Sequence, residues 1–241
     1  MADILYGRNA VLEAMRAGRT PYRVVCAQGL EHDKRIGEIL SLLPPGVELE
    51  ARSRSNLDDM AHSEHHQGIV AYFRKRALLS LEQLLGAVAA PAAILALDGI
   101  QDPQNFGSLA RSADAAGFGG IIITKERSVG VTPAVVKTSA GAVEHLAVCE
   151  VTNLANSLEM MKKAGLWVVG LAAEGSLRYD QADLTGPLVL VVGSEGSGLR
   201  PLTRKRCDFL VRIPMEGAVS SLNAGVAGAL LMYEVARQRG F

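Results

Sequence analysis

Three stretches of this chain set reactive residue types on glycine-rich ground. In "QNFGSLARSAD", Asn105 is followed by Gly107 and Arg111. In "GSEGSGL", Glu195 stands among Gly193, Gly196 and Gly198. In "IPMEGAVSSLNAG", Ile213, Pro214 and Met215 lead through Gly217 to Ser221, Leu222 and Asn223. An amide, a hydroxyl, a carboxylate and a guanidinium can orient a substrate and stabilise charge. Arginine in particular offers a planar fork to phosphate or carboxylate. No carboxylate pair and no Cys/His dyad competes for a hydrolytic role. The glycine loop reads G-x-x-G-x-G late in the chain, which departs from the dinucleotide fingerprint, and Leu199-Arg200 is not the Lys-Ser/Thr that closes a P-loop. Alone, it is open between a tight strand-to-helix turn and a ligand cradle. Ser220 and Ser221 are N-cap residue types for a long last helix, with Asn223 inside its first turn. That helix carries Ala224, Gly225, Ala227, Gly228 and Ala229. Such small residues permit either close helix-on-sheet packing or a subunit interface.

The elements that must position these residues fall into two parts. Residues 1–75 read as a small α/β domain. "GRNAVLEAMRAG" is a helix closed by Gly18, "DKRIGEILSLL" and "SNLDDMA" are further helices, and "YRVVCA", "VELEA" and "GIVAYF" are strands. His65 and His66 read as solvated loop residues. Residues 76–92 read as a linker, and 93–241 as a second domain. There "AILALD", "GIIIT", "LAVCEV", "LWVVGLA", "LVLVVG" and "DFLVRIP" are continuous apolar strands alternating with helices. Among the helices are one over "PAVVKTSAGA" capped by Thr132 and one over "NLANSLEMMKKAG" capped by Thr152. This pattern predicts a mostly parallel sheet covered on both faces. Ligands of such sheets sit beyond the carboxyl ends of the strands, where the three stretches fall.

Of 241 residues, 49% are hydrophobic, enough for a sizeable core. Lys+Arg and Asp+Glu are balanced at 25 each, so any nucleic acid must be met by local patches such as Arg74-Lys75-Arg76 and Arg204-Lys205-Arg206. Cys26, Cys149 and Cys207 form no C-x-x-C and no zinc-ligand spacing, which predicts reduced, packed thiols and no metal site. "MADILYGRNA" lacks an apolar signal-peptide core. The longest apolar run, Leu84 to Leu97, is interrupted by Pro91 and predicts a helix leading into a buried strand, not a membrane span.

Together the three stretches closely resemble the ordered motifs of the SpoU/TrmH family of RNA ribose 2′-O-methyltransferases. N-x-G-x-x-x-R is matched by Asn105, Gly107 and Arg111; G-x-E-x-x-G by Gly193, Glu195 and Gly198; and the closing I-P-M…S-L-N by Ile213, Pro214, Met215, Ser221, Leu222 and Asn223. The match runs from Leu97 onward, with Ala224-Gly225 standing where relatives often carry Val-Ser. "ILYGRNAVLEAM" and "HHQGIVA" are similar to the ends of the family's small RNA-binding module. The resemblance implies an α/β methyltransferase domain with a C-terminal trefoil knot. It implies S-adenosylmethionine held by Leu171, Ala172, Gly193, Gly198, Ile213, Met215, Ser221 and Leu222. It implies a catalytic set of Asn105, Arg111, Glu195, Ser221 and Asn223, with Glu195 bracing the loops by accepting backbone hydrogen bonds. It further implies a cytoplasmic homodimer that needs no metal or membrane and modifies a guanosine of large-subunit ribosomal RNA, alone or in a pre-ribosomal particle. A transfer-RNA substrate, or a non-enzymatic RNA-binding assembly factor on the same fold, are the alternatives. The family account gives the hydroxyl proton to Arg111. A guanidinium is a poor proton acceptor, which favours instead a clamp on phosphate and developing charge.

Overall fold

The computed structural model describes residues 2–30 and 32–240. The chain forms two compact units: one of residues up to Ala77 together with Val131–His145, the other of Leu78–Gly130 with the residues from Leu146 onward.

In the first unit, β1 (Ala2–Tyr6), β2 (Pro21–Ala27), β3 (Glu48–Arg52) and β4 (Ile69–Arg74) form a sheet in the order β1-β4-β2-β3. Only the β2–β3 pair is parallel. Helices α1 (Arg8–Arg16), α2 (Lys34–Ser41) and α3 (Arg54–Ala61) cover it. Asp33 and Ser53 cap α2 and α3, each accepting backbone N–H groups of the first turn. His66 is buried: its Nδ1 accepts the Gly68 N–H and its Nε2 lies 3.0 Å from Asp58 Oδ1, so it fastens the β4 entry and is not solvated.

Residues 131–145, read from the sequence as following on from the second domain's strands, pack in this first unit. Thr132 caps α6 (Pro133–Thr138) as expected, accepting the Val135 N–H. Val135 and Val136 are buried, and α6 lies on β1 while the 3₁₀ turn Ala142–His145 lies on α1. The buried Glu144 carboxylate pairs with Arg19 at 2.9 Å and with Arg76 at 3.4 Å. Arg76 also donates to the Val143 carbonyl. Burial holds its guanidinium below its usual pKa, with Glu144 opposing. The Arg74-Lys75-Arg76 patch therefore offers two outward cations and not three, because Arg76 serves the core.

The second unit begins with α4 (Leu81–Ala87), started by a capping box between Ser80 and Gln83. Its Leu81 and Leu84 enter the core beside Ile94, Leu158 and Val189. Seven strands follow: β5 (Ala93–Asp98), β6 (Gly120–Thr124), β7 (Ala147–Val151), β8 (Trp167–Leu171), β9 (Leu177–Arg178), β10 (Leu188–Gly193) and β11 (Phe209–Arg212). Their order is β7-β6-β5-β10-β8-β11-β9 and every pairing is parallel. The helices are α5 (Pro103–Ala115), α7 (Leu154–Lys163), α8 (Pro201–Arg206) and α9 (Ala224–Gln238). Asn153, not Thr152, caps α7. From β5 the chain first builds outward to β6 and β7, then returns to fill the other side. The reversal places a topological switch point between β5 and β10, where a crevice opens at the carboxyl ends.

Candidate active site

The loops leaving β5, β10 and β11 meet at that crevice. Asn105 lies in the first half of α5, buried, with Asp102 capping the helix and Pro103 in its first turn. Its Nδ2 donates to Glu195 Oε2 at 3.2 Å. Asn223 Nδ2 donates to Asn105 Oδ1 at 2.7 Å and to the same Glu195 oxygen at 3.3 Å. Glu195 thus braces the loops through two side-chain amides and not, as the sequence suggested, through backbone groups. Asn223 does more than face a ligand. It is the N-cap of α9, its Oδ1 accepting the Gly225 and Val226 N–H groups at 2.9 and 3.3 Å. Ser220 and Ser221 lie before the helix and cap nothing.

Two hollows flank Glu195. The larger, about 440 Å³, takes in all eight residues expected to hold a cofactor: Leu171, Ala172, Gly193, Gly198, Ile213, Met215, Ser221 and Leu222. At its edge stand Glu174, which sequence reading missed, and Arg204, read there only as part of a basic patch, paired with each other at 2.5 Å. That pair, and the one between Arg206 and Glu159 at 3.3 Å, partly occupies the second basic patch, leaving Lys205 as its exposed cation. Gly193 is needed for close approach: a Cβ there would overlap the Gly198 carbonyl. The second hollow, about 390 Å³, is polar and shares Ser194, Glu195 and Ser197 with the first. The buried Asp98 at the end of β5 accepts the Arg200 N–H at 2.7 Å and pairs with Arg200 Nε at 3.0 Å. This tie between β5 and α8 had no signal in the sequence.

Arg111 stands apart from this cluster. Six residues along a helix from Asn105 is about 240° of rotation, a different face. Its guanidinium is exposed, lines neither hollow and makes no hydrogen bond or ion pair among the described residues. Ser221 is likewise exposed. Burial pushes the Cys26 and Cys149 thiols up to about 11 and that of Cys207 up to about 12, so none is a nucleophile at neutral pH. The arrangement can position and polarise, but it has no group set to attack covalently.

The family described as "SpoU rRNA Methylase family" matches residues 92–233, and one described as "RNA 2'-O ribose methyltransferase substrate binding" matches residues 4–78. The 23S rRNA (guanosine-2'-O-)-methyltransferase RlmB of Pseudomonas putida is 49% identical, covering 98% of this chain and 96% of its own length. Among solved structures, the SpoU methyltransferase AviRb of Streptomyces viridochromogenes in complex with AdoMet superposes with a TM-score of 0.84 at 28% identity, over 99% of this chain and 90% of that one. The TrmH/SpoU tRNA modifying enzyme of A. aeolicus reaches 0.56 at 26% identity, over 66% of this chain and 80% of its own.

Proposed function

This chain belongs to the SpoU rRNA methylase family and is an RNA ribose 2′-O-methyltransferase that uses S-adenosylmethionine, and we propose that it acts, as a homodimer, on a guanosine of large-subunit ribosomal RNA. The residues present fit the cofactor. Leu171, Ala172, Ile213, Met215 and Leu222 give apolar walls for a flat base, Ser221 adds a hydroxyl, and the missing Cβ of Gly193 keeps the loop tight. When bound, S-adenosylmethionine supplies a sulfonium methyl open to in-line displacement. The chain's own part is positioning. Asn105, Glu195 and Asn223 lock the loops, and well-oriented reactants gain on the order of 7–11 kcal/mol from entropy lost in advance. Arg111, outside both hollows of its own chain, clamps a phosphate of the substrate, while water takes the proton. Ser221 orients the ribose at the cofactor's edge.

The observation that carries this reading is the convergence of all eight expected cofactor residues on one cavity that abuts the Asn105–Glu195–Asn223 cluster. A ribosomal substrate is supported by coverage: the 23S rRNA enzyme matches this chain almost end to end, whereas the tRNA enzyme matches 66% of it. We assign the unit of residues up to Ala77 with Val131–His145 to RNA binding and the unit of Leu78–Gly130 with the residues from Leu146 onward to methyl transfer, so that 76–92, read from the sequence as a linker, falls mostly within the second unit; the two family matches support the division. We also assign a trefoil knot to the closing loops, supported by the tight packing of residues 193–198 and the bond from Asn223 to Glu195. For the dimer, the glycines of α9 are not the argument. Gly225 and Gly228 face Ser108 and Leu109 of α5 in the same chain. The support comes from the outward stripe of Val226, Leu230 and Tyr233 at helical spacing, exposed by 49, 41 and 45%. No helix among the described residues is long and apolar enough to cross a membrane, and the ribosomal substrate makes the cytoplasm the site of action.

The test is methyl transfer to separated ribosomal and transfer RNA pools, followed by mass mapping. One 2′-O-methylguanosine in large-subunit RNA is expected. Modification confined to transfer RNA would overturn the substrate, and RNA binding without transfer would favour an assembly factor.

A further inference from the structure

We infer that the polar hollow beside the cofactor cavity seats the acceptor nucleoside, and that Arg127 at its rim holds a phosphate of the same RNA strand. The inference rests on the methyltransferase reading above and names the parts of the acceptor site.

The hollow shares Ser194, Glu195 and Ser197 with the cofactor cavity, so anything seated in it lies one residue from whatever fills the other. Its remaining polar wall is Gln101, Asp102 and Asn105. The Gln101 carboxamide makes no hydrogen bond among the described residues. Asp102 commits Oδ1 to the Gln104 N–H, and Glu195 commits Oε2 to the two asparagine amides. The second oxygen of each carboxylate stays open. A hollow with two such carboxylates repels phosphate but accepts from ribose hydroxyls and base N–H groups. The phosphates of a nucleotide seated there must therefore stay at the rim and find a cation.

Arg127 is placed for that. It belongs to the loop that leaves β6, and this loop is held against two residues that line the hollow. The Val129 N–H donates to the Ile100 carbonyl at 2.9 Å, and the Arg127 carbonyl lies 3.8 Å from where a Cβ at Gly99 would stand. Gly99 and Ile100 both line the hollow. Arg127 has φ +57°, a left-handed conformation unfavourable for an arginine. The strain is imposed from outside the residue: Thr124 Oγ1 lies 2.8 Å from the Glu126 carbonyl and 2.6 Å from Ser128 Oγ, closing the loop around it. The guanidinium so presented is exposed and makes no ion pair or hydrogen bond among the described residues. Its neighbour Arg200 is already committed to the buried Asp98.

The experiment compares wild type with Arg127→Asn, which tolerates the left-handed backbone but lacks the charge, and with Arg127→Lys, which keeps it. Binding to large-subunit ribosomal RNA and steady-state transfer are measured across a salt series, and S-adenosylmethionine affinity by calorimetry. For Arg127→Asn we expect RNA affinity and KM about tenfold worse, kcat and cofactor affinity within about twofold, and a log–log salt slope shallower by about 0.7–0.9, the share of one phosphate contact. Arg127→Lys should restore the slope. A wild-type KM and slope in Arg127→Asn would overturn the assignment, and so would equal losses in both variants with the slope unchanged. For the hollow, Gln101→Trp should reduce transfer at least about 100-fold with cofactor affinity intact; an undiminished rate would overturn that half. If wild type methylates neither RNA pool, the methyltransferase reading fails separately, and the salt-dependent binding still decides Arg127.

Discussion

Asn223 spends its whole side chain on four bonds: two accepted from the start of α9 and two donated, to Asn105 and Glu195. This separates capping from bracing. In Asn223→Asp the retained oxygen still caps α9, but the amide donors become a second carboxylate facing Glu195. Thermal stability should fall by no more than about 1–2 kcal/mol, while methyl transfer falls about 100-fold or more. Equal activity in the Asp variant would remove the brace from the mechanism. For Arg111, replacement by Ala should cost about 10²–10³ in transfer with cofactor affinity nearly intact, because its proposed partner is the substrate. Arg111→Lys should fail as well, since a point charge cannot replace a planar fork; near-normal turnover would show that charge alone suffices. Residue type singled out Asn105, Glu195 and Asn223, which the fold brings together, and also Arg111, which lines neither hollow. What could not be read was who bonds to whom. Ser220 and Ser221 are better cap types by statistics, yet α9 starts only at Ala224, so the cap falls to Asn223.

At the scale of elements, the central strands were readable because a parallel sheet buried on both faces demands unbroken apolar runs, and β5, β6 and β10 are buried at every position. The strands without that signature escaped. β9 has only two residues, and β1 is a half-exposed edge strand that pairs on one side only. Nor could the glycines of α9 reveal which partner they admit. Gly228 has no room for a side chain, because a Cβ would overlap Leu109 of α5. The tightest element is the turn after β10. Gly193→Ala drives a methyl group into the Gly198 backbone, which cannot swing aside as a side chain can. We expect a cofactor affinity at least tenfold weaker, about 1.4 kcal/mol, by calorimetry, with far-ultraviolet circular dichroism unchanged. Wild-type affinity would mean the turn has slack that its geometry denies.

For the whole molecule, the stripe of Val226, Leu230 and Tyr233 is the surface on which the proposed dimer depends. Leu230→Glu puts a charge at its centre and should turn the dimer into a monomer by light scattering. A dimer that survives this change at micromolar concentration would place the contact elsewhere. The first unit carries a different consequence. It is assembled from two stretches of chain, residues up to Ala77 and Val131–His145, and the second brings Val135, Val136, Val143 and the carboxylate partner of Arg19 and Arg76. Domains emerging from a ribosome usually settle in order from the N-terminus. Here the leading one must wait, its α1 surface uncovered and the Glu144 carboxylate still missing from beside Arg19 and Arg76, until the strands β5 and β6 have been translated and His145 has cleared the exit. A nascent chain stalled at Gly130 should therefore remain open to protease within residues 2–77, and one stalled well past Leu146 should not.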